Sequence, residues 1–332
     1  MAMSLAACGG KTETPAETPD ASSDAQTPST DPITISLCNA YSDLDQLNTE
    51  LKDAADRISE RTNGVVTVNV YPNNTFGDPN SWVDATNADA PIISVASFPA
   101  WDDKYPEADA LQAGFVWESP EEIIRFYDTD LCKKIIADLD EQNIHSLNAP
   151  IAAGMRHVIG RAAYSTPEAI KGLKLRTVNG KAWLECFQAM GASPMGMASS
   201  EQLSALSAGT IDALDQSINL IYSTKSYELV KDVTLLAQQP LWDAMFCSTK
   251  WWNSLPAEYQ EIIEDELHQA GIRYNQYSVE NEGKMREEME AAGVEFHEAD
   301  RQAFLDMGCG DLVLKYSIGQ ELLDTLAEIR SK

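Results

Sequence analysis

Ser165-Thr-Pro-Glu-Ala-Ile-Lys-Gly-Leu-Lys-Leu-Arg176 is the stretch from which the rest of the chain is read. Its second half predicts a strand near 173–178, with Arg176 just past the apolar run Leu173–Leu175. In open α/β sheets, ligands gather at the carboxyl ends of strands, so Arg176 is placed where a ligand would lie. A guanidinium there matches a carboxylate with two parallel N–H bonds. The competing reading is a surface cation on a short basic stretch with Lys171 and Lys174.

Strand and helix signals alternate on both sides of this segment. Ile33–Cys38 reads as a strand, followed by a helix to about Arg61 bearing Leu44, Leu47, Leu51, Ala54, Ala55 and Ile58. Val65–Tyr71 and Pro91–Ala96 read as strands. Ser119-Pro-Glu-Glu122 opens a helix expected to run to about Glu141. Further strands are expected near 144–149 and 155–161, and a capping box at Ser199-Ser-Glu-Gln202 opens a helix that stops at Gly209. Pro256 to about Ala292 contains no internal proline and predicts a helix some 55 Å long, broken or unbroken at Gly271 and Gly283. The alternation implies an α/β protein. The length suits two lobes, and a helix that long exceeds the diameter of one lobe, so it is expected to span both. Lobe 1 takes roughly 33–152 plus a segment near 240–280, and lobe 2 takes 153–239 plus C-terminal parts.

Charge and motifs exclude several functions. With 332 residues and a net charge of −28, the chain suits two lobes and does not suit nucleic acid, which selects basic surfaces. No stretch reaches the roughly 20 apolar residues of a membrane span. His145, His157, His268 and His297 have no metal-ligand spacing, and no nucleophile elbow, zinc-protease or phosphate-loop motif is present, so neither an enzyme, a metal nor a cofactor is expected. Six cysteines lie at 8, 38, 132, 186, 247 and 309 without a CxxC pair, and all but Cys8 are expected as buried small apolar side chains.

Leu5-Ala-Ala-Cys8-Gly9 matches a lipobox, in which Cys8 is the lipidated residue. Residues 9–32 lack Val, Ile, Leu and aromatics and hold four prolines, a composition that predicts a disordered tether whose ends lie roughly 25–30 Å apart. Residues 1–8 are too short for a whole signal, so the natural start is expected upstream of Met1. Lipid plus tether means anchored to a membrane without spanning it.

Residues 33 to the C-terminus resemble the DctP family of TRAP transporter solute-binding proteins. The resemblance is carried in order by the quoted 165–176 segment, Met190-Gly-Ala-Ser-Pro-Met-Gly-Met197, Ser200-Glu201 through Gly209-Thr-Ile-Asp212, Lys225-Ser-Tyr-Glu228, and Trp252-Asn-Ser-Leu-Pro-Ala-Glu-Tyr-Gln260. It implies a two-lobed periplasmic-binding-protein (type II-like) fold with a hinge and a long helix spanning both lobes, a small organic carboxylate as ligand, Arg176 as its clamp and Arg156 as a second ligand-side arginine. Where the family commonly reads D-G-Q-E-N-P, this chain reads Asp212-Ala-Leu-Asp-Gln216-Ser217, which implies that Gln216 replaces a carboxylate-supporting asparagine. Asn39, Asn179, Ser199 and Ser97 fall at further ligand-side positions, the last where sialic-acid-binding relatives place a glutamate. Trp242 is a candidate aromatic wall. The implied partners are the small and large TRAP membrane subunits, with the protein extracytoplasmic, lipid-anchored and monomeric. The binding lipoprotein of an ABC transporter and a ligand sensor for a membrane receptor are the alternatives.

Overall fold

The computed structural model describes residues 31–332; Cys8 and the expected tether up to residue 30 lie outside the described residues. Ten strands form the sheet framework: β1 Ile33–Cys38, β2 Val66–Tyr71, β3 Ile92–Ala96, β4 His145–Gly160, β5 Lys174–Thr177, β6 Ser193–Gly196, β7 Ala213–Ser217, β8 Asp232–Leu235, β9 Pro240–Cys247 and β10 Glu295–Glu298. Their order is β2-β1-β3-β9-β4-β7-β5-β6, with β8 joining β4 to β10. The chain is α/β, as the alternation implied, and two-lobed, as its length suggested.

β4 is the strand that ties the halves together. The strands expected at 144–149 and 155–161 are one 16-residue strand. Its first part pairs antiparallel with β9 and its last part, from Arg156, with β7 and β8. The β9-paired part shifts register twice, and within the second shift, between Ala152 and Met155, Gly154 adopts φ +94°, a conformation that favours glycine. Hydrophobic burial follows the same division. Ile35, Leu51, Leu147 and Met245 share one core with the helix Gln46–Arg61, while Leu175, Phe187 and Phe304 centre another beyond β4.

The late helix is continuous, Ala257–Ala291, about 52 Å at 1.5 Å per residue. Tyr259, Ile263, Leu267 and Tyr274 sit in the first core, and Met285 and Met289 sit with Ile159, Leu214 and Val233 in the second half, so the helix crosses both. Gly271 marks a close approach to β4, since a Cβ there would lie 3.1 Å from the Pro150 carbonyl oxygen. One turn later, Asn275 donates to that carbonyl at 2.9 Å and accepts from the Ala152 N–H at 2.8 Å, which satisfies the backbone where β4 is irregular.

Three expectations are corrected. The helix from Ser119 is two helices, Pro120–Phe126 and Asp130–Glu141, because Thr129 adopts an extended conformation and caps the second one. Leu44 is not on the helix stripe; Asp45 caps that helix and leaves Leu44 73% exposed. The C-terminal residues divide between the halves: β10 pairs with β8, whereas the helix Gly319–Ser331 returns to the first half, where Leu322 and Leu326 pack near Ile123 and Phe126. The five cysteines within the described residues are buried and free.

Candidate ligand-binding cleft

A cavity of about 1200 Å³ opens between the two halves. One wall comes from the loops after β1 and β3, the other from those after β5 and β6, with β4 and β9 at the back. This is the carboxyl-end position at which open α/β sheets hold ligands. Tyr41, Ser97, Arg156, Arg176, Asn179 and Ser199 all line it.

Arg176 is 5% exposed on the cleft wall. Its Nε and Nη2 both donate to the Met197 carbonyl oxygen, at 3.0 and 2.6 Å. Among the described residues no carboxylate lies within ion-pair distance of it. Burial, helped by the nearby Arg156 and opposed by Asp215, pushes its guanidinium down to about 10. A buried cation with only a carbonyl for company is costly until an anion joins it.

Arg156 contrasts with it. Its Nε sits 3.0 and 3.1 Å from the two oxygens of Asp215, and its guanidinium lies 4.7 Å over the Trp183 ring. Asp215 also accepts from Thr177 Oγ1 at 2.8 Å and Gln238 Nε2 at 2.7 Å. Arg156 is therefore already neutralised and held in place, and of the two buried arginines only Arg176 carries a charge that no carboxylate offsets among the described residues.

Asp215 was missed in the sequence, although strand parity could have found it. β7 pairs with β4 so that Val158 faces Asp215 and His157 faces Gln216; residues paired directly share a face of the sheet. Asp215 therefore shares the face of Arg156, while Gln216 turns the other way. Gln216 Nε2 donates to Thr224 Oγ1 at 3.3 Å, and its Oε1 accepts from Ser226 at 2.6 Å, so it lies behind the cleft wall.

Two more candidates lie elsewhere than the sequence suggested. Trp242 is fully buried among Phe98, Trp117, Phe126 and Tyr127 because its parity on β9 points it into that aromatic core. The neighbours of opposite parity, Leu241 and Asp243, line the cleft instead. Asn39 is buried in its loop, donating to Asn48 Oδ1 at 2.8 Å and accepting from the Tyr41 N–H at 3.0 Å. It shapes the loop that carries Tyr41. Ser199 lines the cleft and also bridges it, accepting from Asn74 Nδ2 at 3.4 Å and donating to the Ala40 carbonyl at 3.4 Å.

Residues 39–308 match the DctP family, bacterial extracellular solute-binding protein family 7. The chain belongs to that family. The 2,3-diketo-L-gulonate-binding periplasmic protein of Escherichia coli is 26% identical over 269 residues, 80% of this chain and 81% of that one. A TRAP periplasmic solute-binding protein from Desulfovibrio salexigens, solved with diglycerolphosphate, is similar at a TM-score of 0.86 and 28% identity, covering 90% of this chain and 98% of the other. A second, from Fusobacterium nucleatum with bound sn-glycerol-3-phosphate, matches at a TM-score of 0.86 and 26% identity, with 90% and 98% covered. DctP proteins are extracytoplasmic transport proteins and not enzymes. Membership disposes of the ABC-transporter alternative. No helix among the described residues is long and apolar enough to cross a membrane.

Proposed function

We propose that this DctP protein captures a small organic carboxylate on Arg176 and, as a monomer, delivers its closed form to the small and large membrane subunits of a TRAP transporter. The observation that carries the reading is the buried Arg176 guanidinium, on the cleft wall and without a carboxylate partner among the described residues. Asn179 and Ser97, also on the wall, are proposed to complete the polar lining around the ligand, with Arg156 fixed behind them by Asp215. The anchor in this reading is Cys8 of the lipobox: the precursor expressed in a bacterium partitions with membranes and Cys8→Ser releases it, and equal partitioning of the two would remove the anchor.

A second reading has a specific observation behind it. Two similar solved proteins hold glycerol phosphates, and an arginine fork accepts phosphate as readily as carboxylate. A thermal-shift screen over monocarboxylates, dicarboxylates, phosphate esters and uncharged amide and alcohol analogues separates the two. The expected hits are carboxylates, recovered chemically unchanged by mass spectrometry. Hits confined to phosphate esters would move the assignment to them, and hits confined to uncharged compounds would end both.

A further inference from the structure

Asp243 projects from β9 into the same cavity as Arg176, and the function proposed above assigns it nothing. Its Oδ2 accepts from the Tyr41 hydroxyl at 2.8 Å, and no other hydrogen bond or ion pair engages the carboxylate among the described residues. Tyr41 comes from the loop after β1, so the pair joins the back of the cleft to its first wall. Burial raises the Asp243 carboxyl above its ordinary range, while the Tyr41 hydroxyl and Arg156 act the other way. A carboxylate in that condition gains from a further hydrogen-bond donor and loses from a further anion.

The surroundings reinforce this. Asp78, Asp84, Asp103 and Glu201 are exposed around the cavity, and Asp102 and Glu185 are half-buried on its walls. Against these and Asp243 stand three cations, Arg156, Arg176 and Lys181, of which Arg156 is already spent on Asp215. The cleft therefore has room for one anionic group, at Arg176, and resists a second.

We infer that Asp243, oriented by Tyr41, is a specificity-determining residue, accepting a hydrogen bond from a hydroxyl or ammonium group that the ligand carries away from its carboxylate, and excluding dicarboxylates. The inference rests on the Arg176 reading and deepens it by naming the chemistry of the other end of the ligand.

Matched probes of equal chain length test it: succinate against 4-hydroxybutyrate and 4-aminobutyrate, and D-glucarate against D-gluconate. They are titrated calorimetrically into wild type, Asp243→Asn, Tyr41→Phe and Arg176→Ala. In each set the dicarboxylate is expected to bind wild type at least tenfold more weakly than its donor-ended partner. Asp243→Asn, which keeps the size and removes the charge, should bring the two within threefold. Tyr41→Phe should shift the ratio in the same direction by a smaller factor. A purely structural Asp243 would weaken both members alike and leave the ratio unchanged, which overturns the inference, as does a wild-type protein that prefers the dicarboxylate. If Arg176→Ala abolishes binding while the ratio ignores Asp243, only this inference fails. If no carboxylate in either set binds wild type, the Arg176 reading fails and takes this one with it. The mass of the acid carried through purification gives an independent reading: a monoacid with hydroxyl or amino groups is expected, and a diacid contradicts the inference.

Discussion

His157 shows how far burial governs a single side chain here. It follows Arg156 on β4 but points to the opposite face, where its Nδ1 accepts from the Ala237 N–H at 3.2 Å. Burial, with Arg286 and Arg156 adding to it, pushes the imidazole down to about 3. The unfolded chain binds this proton with an ordinary affinity near pH 6.5, so between about pH 6.5 and 3 it holds more protons than the folded one. Stability must therefore fall as pH is lowered through that window, by at most about 1.4 kcal/mol per pH unit from this residue. Urea unfolding of wild type and His157→Gln from pH 7 to 4 should show a shallower decline in the variant; parallel declines would mean that His157 already binds its proton when folded. The same parity that turns His157 from Arg156 explains which site residues were legible in the sequence. Arg176, Arg156, Asn179, Ser199 and Ser97 line the cleft because motif positions fix where the backbone passes. Gln216 and Trp242 were misplaced because their direction depends on strand register. Leu241-Trp-Asp-Ala-Met-Phe246 is buried on both faces, so no polar–apolar alternation advertises which residue faces which way. Asp243 was the one break in that apolar run and the readable signal.

At the scale of elements, the long helix tests what glycine does in two settings. Gly271 faces the Pro150 carbonyl, which Asn275 holds in place, and Ile151 lies beside it. Gly283 has nothing within 4 Å of where a Cβ would sit. Gly283→Ala is therefore expected to stabilise the protein by about 0.5–1 kcal/mol, the difference in helix propensity. Gly271→Val should cost about 1–3 kcal/mol, since the inserted atoms have no space. Chemical denaturation reads both, and equal effects of the two substitutions would contradict the packing described. The helix's length was legible because it lacks an internal proline. Its continuity was not, because whether a mid-helix glycine breaks or packs is decided by what lies against it. The split of the helix from Ser119 was hidden for a similar reason: the apolar residues continue through Phe126, and only the local conformation of Thr129 ends one helix and starts another.

At the scale of the whole molecule, polar contacts beside the cleft join the two halves. Ser223 Oγ donates to Asp45 Oδ2 at 3.0 Å, Ser42 Oγ donates to the Ser223 carbonyl at 3.3 Å, and Asn74 reaches Ser199 at 3.4 Å. Asp45 also caps the helix Gln46–Arg61, so the second half docks on a rigid point of the first. Such a contact is worth about 0.5–1.5 kcal/mol, enough to bias an open–closed equilibrium without locking it. Ser223→Ala should weaken ligand affinity roughly two- to tenfold by lowering the closed fraction, and small-angle scattering should show a larger mean radius at subsaturating ligand. An unchanged affinity and radius would mean that the contact does not contribute to closure. The α/β class was legible from the alternation of strands and helices and the two lobes from the chain's length, whereas the return of the C-terminal helix to the first half was not, because nothing local in residues 319–331 states which core their apolar face meets.

The central proposal is that the buried Arg176 guanidinium receives the anionic group of the ligand. Removing one partner of a buried ion pair typically costs about 3–5 kcal/mol, or two to three decades of affinity or more. Arg176→Lys keeps the charge but loses the planar fork, so it should also bind poorly. The direct measurement is calorimetry on wild type, Arg176→Ala and Arg176→Lys, with the strongest acid from the screen and its amide. The account predicts at least a hundredfold loss in Arg176→Ala and no comparable binding of the amide by wild type. Binding by Arg176→Ala within threefold of wild type, or an amide that binds as well as the acid, would contradict it.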